Sequence, residues 1–164
     1  MKRRETLVGR ILLLVISMAF VSACQASGPK QAGSGGQSDF ISEALVDAVE
    51  QTHFSAVVRH VSAERRAPGA SDSGPVFLHR VEVREVFRGP EVESLTYALY
   101  AEPGESSASS SGWVIITLCR GSDEGYEWPG TGAIFPATEE LVEIARKAAR
   151  NAGPDQQAFN QCDW

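Results

Sequence analysis

The chain predicts a mainly β fold with one helix at each end, in which five short strands close into a small barrel. Three observations predict it. Residues 76–88 form the strongest strand signal, with Val81 and Val83 alternating against Arg80, Glu82 and Arg84 at a period of two, the pattern of a half-buried strand. Four more short β-rich runs follow or precede it, each bounded by glycine, proline or serine. At either end, residues 39–51 and 138–152 replace that alternation with apolar steps of three and four, the spacing of one helix face.

The first helix is expected from Asp39 to Gln51, with Phe40, Ile41, Ala44, Leu45, Ala48 and Val49 as its apolar stripe and Ser38 or Asp39 as the N-cap. Phe54 to Glu64 reads as the first strand, and the turn-rich stretch from Ala67 to Pro75 ends it. Val76 to Arg88 is the long second strand, with Val81 and Val83 alternating against Arg80, Glu82 and Arg84, and Gly89-Pro90 closing it. Val86-Phe87 breaks the alternation, which predicts a bulge or a strong bend. Leu95 to Ala101 and Trp113 to Cys119 supply two more strands across a serine-rich loop, and Gly132 to Phe135 a fifth. The last helix runs from a Thr138 cap to Ala152, with Glu139 and Glu140 at its positive end and Arg146, Lys147 and Arg150 near its negative end. Leu141, Ile144, Ala145, Ala148 and Ala152 form its stripe, Glu143 is placed to pair with Lys147, and Gly153-Pro154 stops it. One globular domain is therefore expected over residues 39–164.

Five short strands with terminal helices fit a closed or partly closed barrel of the oligonucleotide/oligosaccharide-binding (OB) type. The stretches from Phe54 to Val61, from Val81 to Pro90 and from Gly112 to Ile116 resemble the netrin-like modules, the group that includes the tissue inhibitors of metalloproteinases. That resemblance covers roughly residues 54–137 and implies an OB-like barrel. The inhibitors of the group chelate a protease zinc through a free N-terminal cysteine. Here the N-terminal cysteine, Cys24, is read as lipidated and far from the barrel, so the resemblance carries no inhibitory residue to this chain.

Ahead of the folded part, residues 1–23 have the parts of an export signal: basic Lys2, Arg3, Arg4 and Arg10, an apolar run from Ile11 to Val21, and small residues before a cut. The run is too short to span a bilayer, which takes roughly 20 apolar residues. Val21-Ser22-Ala23-Cys24 resembles the lipobox of bacterial lipoproteins. The resemblance implies a diacylglycerol on the Cys24 thiol, cleavage after Ala23 and acylation of the new amine. Each buried methylene contributes about 0.8 kcal/mol, so several acyl chains hold stably where one does not. In Gram-negative lipoproteins an Asp after the cysteine retains the protein at the inner membrane. Gln25 stands here, which favours the outer membrane with the domain facing the periplasm. The stretch from Gln25 to Ser38 is glycine- and serine-rich and reads, behind the lipidated Cys24, as a flexible tether with a reach of roughly 20 Å.

Of the 15 basic and 21 acidic residues, four and one lie in residues 1–23, leaving 11 and 20 and a net charge of −9 on the remainder. Such a balance argues against a nucleic-acid partner and leaves acyl chains to hold the membrane. Cys119 and Cys162, 43 residues apart, suit a disulfide in an oxidising envelope, the alternative being two separate thiols. His60 and His79 fall on strands that can neighbour each other, with His53 just before the first. Two imidazoles need a third ligand to hold zinc, and no carboxylate is placed to orient them, so neither metal nor cofactor is expected. Motifs for a serine elbow, a zinc protease and a phosphate loop are absent from the sequence.

The candidate recognition segment is residues 122–136, where Tyr126 and Trp128 stand beside Asp123, Glu124 and Glu127. Aromatic faces with carboxylates suit a glycan or an envelope protein. In the competing reading Trp128 covers the open end of the barrel. The resulting expectation is a membrane-anchored, non-catalytic binding or structural module. Its rivals are a periplasmic hydrolase or metal enzyme built from His60, His79 and Glu82, and an envelope protease inhibitor.

Overall fold

A computed structural model describes residues 35–66, 74–102, 111–121, 125–130, 132–153, 156 and 158–162. The export segment, Cys24, most of the tether, the tip of the serine-rich loop, Asp123, Glu124 and Pro154 lie outside the described residues. The elements run α1 (Gly35–Glu50), β1 (Phe54–Arg65), β2 (Val76–Arg88), β3 (Ser94–Tyr100), β4 (Trp113–Arg120), β5 (Tyr126–Glu127), β6 (Ile134–Pro136) and α2 (Glu139–Ala152). The fold is mainly β with a helix on either flank.

The sheet closes on itself. Its order is β1-β2-β3-β5-β4-β6, and β1 also pairs with β4, so five strands form a ring. Neighbours are antiparallel except β3 and β5, which run parallel from Tyr97 opposite Tyr126. The fifth strand of the ring is β5, not the Gly132–Phe135 run. That run begins two residues late, as β6, and pairs with β4 alone, from Val114 opposite Pro136 to Ile116 opposite Ile134. Cys119 and Arg120 of β4 pair with β5. β5 and β6 therefore lie along one side of β4 as a single strand interrupted at residues 128–133. Two residues are too few to show a period, which hid β5 in the sequence.

β1 is long enough to serve two partners, β4 from Phe54 to Arg59 and β2 from Ser55 to Arg65. Its ladder with β2 slips at three places, and one slip skips Phe87, between Ser55–Arg88 and Ala56–Val86. The broken alternation at Val86-Phe87 is thus a bulge. It puts Val86 inside the ring and leaves Phe87 on the opposite face, under the helices. Gly89 follows at φ +101, and a Cβ there would stand 2.6 Å from the Phe54 ring. Only glycine fits both constraints.

Two apolar clusters share the sheet. Phe54, Ala56, Val58, Val81, Tyr97, Val114, Ile116 and Leu118, with Tyr126 and Trp128 against them, come from all five ring strands and fill its inside. The outward residues Val57, Ile115 and Phe135 meet Leu45, Ala48 and Val49 of α1 and Leu141, Val142, Ala145 and Ala148 of α2. The two helices therefore form one layer on the ring. The cap and the end of α2 are as expected, since Thr138 accepts the Leu141 N–H at 3.2 Å and Gly153 ends the helix at φ +70, but its buried stripe is Leu141, Val142, Ala145 and Ala148, with Ile144 and Ala152 only partly buried. Glu143 pairs with Arg146 at 2.9 Å instead of Lys147, because Arg146 stands between Glu143 and Glu85 of β2 and its planar fork serves both carboxylates. α1 departs more. It starts at Gly35, four residues before Asp39, so Ser38 is inside the helix, where its carbonyl accepts from Ser42 Oγ, and caps nothing. Phe40 leaves the stripe and is 69% exposed, since the helix is seated by Leu45, Ala48 and Val49 one turn further on.

Candidate functional site

β5 alternates as a strand should. Tyr126 and the following Trp128 point into the ring, and Glu127 between them points out. Tyr126 packs on Phe54 with centroids 4.9 Å apart, and Trp128 lies over Tyr97 at 6.2 Å, nearly parallel. The Trp128 N–H donates to the Ala98 carbonyl at 2.8 Å, extending the β3–β5 ladder by one bond. Both aromatics are partly buried members of the inner cluster. Glu127 is held at the surface: the Tyr100 hydroxyl donates to its Oε1 at 3.4 Å, and Gly121 makes room for it, since a Cβ there would collide with the Glu127 side chain. Tyr100 is 56% exposed, a large aromatic that no sequence signal marked for recognition.

Beneath Trp128 lies a polar stack. Tyr97 is opposite His79 across β2 and β3, and the two rings are parallel with centroids 5.0 Å apart. His60 Nε2 shares a hydrogen bond of 2.8 Å with the Tyr97 hydroxyl, and the His60 and His79 rings meet edge-on at 5.3 Å. The two histidines are thus brought together, as their strands allowed. Burial lowers the pKa of both, and the charge of His60 lowers that of His79 further. Burial raises that of Tyr97. All three groups are therefore neutral at pH 7. Tyr97 escaped the sequence reading although Leu95, Tyr97 and Leu99 alternate, because an alternating tyrosine looks like any other core residue.

Glu82 does not join them. It points outward and pairs with Arg59 at 2.5 Å, both side chains about half exposed. Arg59 and Arg84 also flank the Trp113 ring, at 5.1 and 5.3 Å.

Cys119 and Cys162 form a disulfide with Cα atoms 5.4 Å apart. A ring nitrogen of His53 lies within 4.8 Å of both sulfurs. This trio does not suit a metal while the disulfide is intact, because zinc takes thiolates. In addition, His53 Nδ1 already accepts the Arg120 N–H at 3.2 Å. Among the described residues no helix is long and apolar enough to cross a membrane.

Compared with known proteins, the chain matches no family model and no curated sequence.

Proposed function

We propose that the protein is a lipid-anchored lipoprotein of the cell envelope whose folded part is a non-catalytic binding module. The strand order, closed by β1 on β4 with a parallel β3–β5 seam, supports a small OB-type barrel of the netrin-like kind. A disulfide of the kind that persists in oxidising compartments supports the envelope, and Val21-Ser22-Ala23-Cys24 supports the diacylglycerol anchor at the outer membrane.

The observation that carries the binding reading is the exposed Tyr100–Glu127 pair. Tyr100 ends β3, and Glu127 lies between Tyr126 and Trp128, which are rooted in the core, so an aromatic and an acid are presented together on a rigid base. The pair suits an envelope protein or a glycan, each of which stacks on tyrosine and donates to a carboxylate. Asp123 and Glu124 extend the acidic character of the same segment in sequence.

Two measurements test this. Mass spectrometry of the Cys24 peptide from membranes should find a diacylglycerol adduct, and an unmodified thiol there removes the anchor. Cross-linked membranes should yield a partner with the wild-type chain that is lost with Tyr100→Ala, Glu127→Gln. Both positions are exposed or rim-like, so that variant keeps the core. An unchanged set of partners rejects this face.

A further inference from the structure

A concavity on another side of the molecule carries charge opposite to that of the chain as a whole. Arg88 at the end of β2, Arg120 at the end of β4 and Arg150 in the last turn of α2 line one cavity of about 530 Å³ with His53, Phe87 and Phe159. Residues 24–164 hold only 11 basic side chains against 20 acidic ones. Three of those 11 converge here, and no carboxylate is among the described lining residues.

The cations are positioned by different means. Arg88 Nη1 donates to the carbonyls of Val49 and Glu50 at the end of α1, at 3.5 and 3.3 Å. Both its terminal nitrogens donate to Gln156 Oε1 at 3.1 Å, and the guanidinium lies 4.9 Å from the Phe159 centroid. Burial disfavours the Arg88 charge, and Glu50 offsets part of that. Arg120 is exposed and forms no ion pair among the described residues. Arg150 reaches Glu143 only at 3.6 Å. His53 accepts the Arg120 N–H at Nδ1, and its ring lies tilted against Phe159 with centroids 4.1 Å apart.

The geometry points to this cavity as a binding site for a phosphate-class oxyanion, a further assignment that rests on the binding-module reading. Guanidinium forks bind phosphate through paired N–H donors, and a dianion answers three of them better than a single carboxylate does. Phe87 and Phe159 add apolar wall for a substituent, so a phosphomonoester fits as well as free phosphate. The phosphate can come from solution or from a lipid headgroup.

The test is a calorimetric titration of the full chain in detergent with inorganic phosphate, chloride being withdrawn to hold ionic strength constant. Saturable binding at one site is expected, weakened at least tenfold by Arg120→Glu and unchanged by Arg80→Glu, an exposed arginine outside the cavity. A second arm uses vesicles of phosphatidylcholine with and without phosphatidic acid. Binding confined to phosphatidic acid vesicles, with the same dependence on Arg120, supports the site with the headgroup as its source. No saturable binding in either arm overturns it, as does equal weakening by Arg80→Glu. Partner capture by the wild-type chain separates the two proposals: a partner captured by a wild-type chain that binds no phosphate sinks the cavity alone.

Discussion

His79 has no exposed surface and shares the inside of the ring with His60 and Tyr97. Enclosing two imidazoles among apolar side chains is tolerable while both are neutral, and burial lowers the pKa of each. The sign of the consequence follows. Below the ordinary imidazole value, about 6.5, the unfolded chain binds more protons than the folded one, so stability falls as pH falls. The contribution of the pair is complete above that value and is lost as pH drops through the lowered folded values. Glu85, whose carboxyl the Arg146 hydrogen bond holds below the usual carboxylate range, loses its contribution at more acidic pH and leaves the window distinct. Urea midpoints measured from pH 7.5 to 5 should therefore decline for the wild type. His79→Phe, which keeps a ring against Tyr97 without a titrating group, should decline less; an equally steep fall would assign the effect to other residues.

At the scale of elements, the divided fifth strand governs what a substitution at the recognition segment reports. Trp128 and Tyr126 brace the inner cluster from β5, whose ladder with β3 runs from Tyr97 to Ala98. Trp128→Ala is expected to cost about 3 kcal/mol, the lower part of the range for losing a packed indole. Tyr100→Ala, with a mostly exposed ring, should stay within about 0.5 kcal/mol. Chemical denaturation of the two variants decides the matter: equal midpoints would mean that Trp128 does not support the ring. The same contrast explains what was legible in the sequence. Long elements declared themselves, because the alternation of β2, the broken step at Val86-Phe87 and the Thr138 cap of α2 each impose a local chemical requirement. β5 imposes none that two residues can display. Likewise, Tyr100 beside Glu127 and the three arginines of the cavity come from separate elements, and their meeting is a property of the closed ring.

At the scale of the whole molecule, the segment after α2 is held by side chains and a disulfide. Among its described residues none joins a strand ladder; Gln156 is tied to Glu50 and Ala158, Gln161 to Asp47, and Cys162 to Cys119. Of these the disulfide is the strongest constraint, since the amide contacts of Gln156 to Ala158 and of Gln161 to Asp47 are exposed and exchange readily with water. Its sequence separation of 43 residues corresponds to about 3 to 4 kcal/mol in the chain-entropy view. It also fixes two walls of the basic cavity at once, because Arg120 follows Cys119 and Phe159 lies three residues before Cys162. Stability and anion binding are therefore expected to fall together. Cys162→Ala should lower the unfolding free energy by roughly 3 kcal/mol and open residues 153–162 to limited proteolysis. In the same variant phosphate affinity should drop, because Gln156 and Phe159 no longer hold the Arg88 guanidinium in place, although Arg88, Arg120 and Arg150 are all retained. A variant that unfolds at the wild-type denaturant midpoint would show that the tail is seated by its amides instead. Lost stability with full phosphate affinity would place the anion on the β2, β4 and α2 arginines alone.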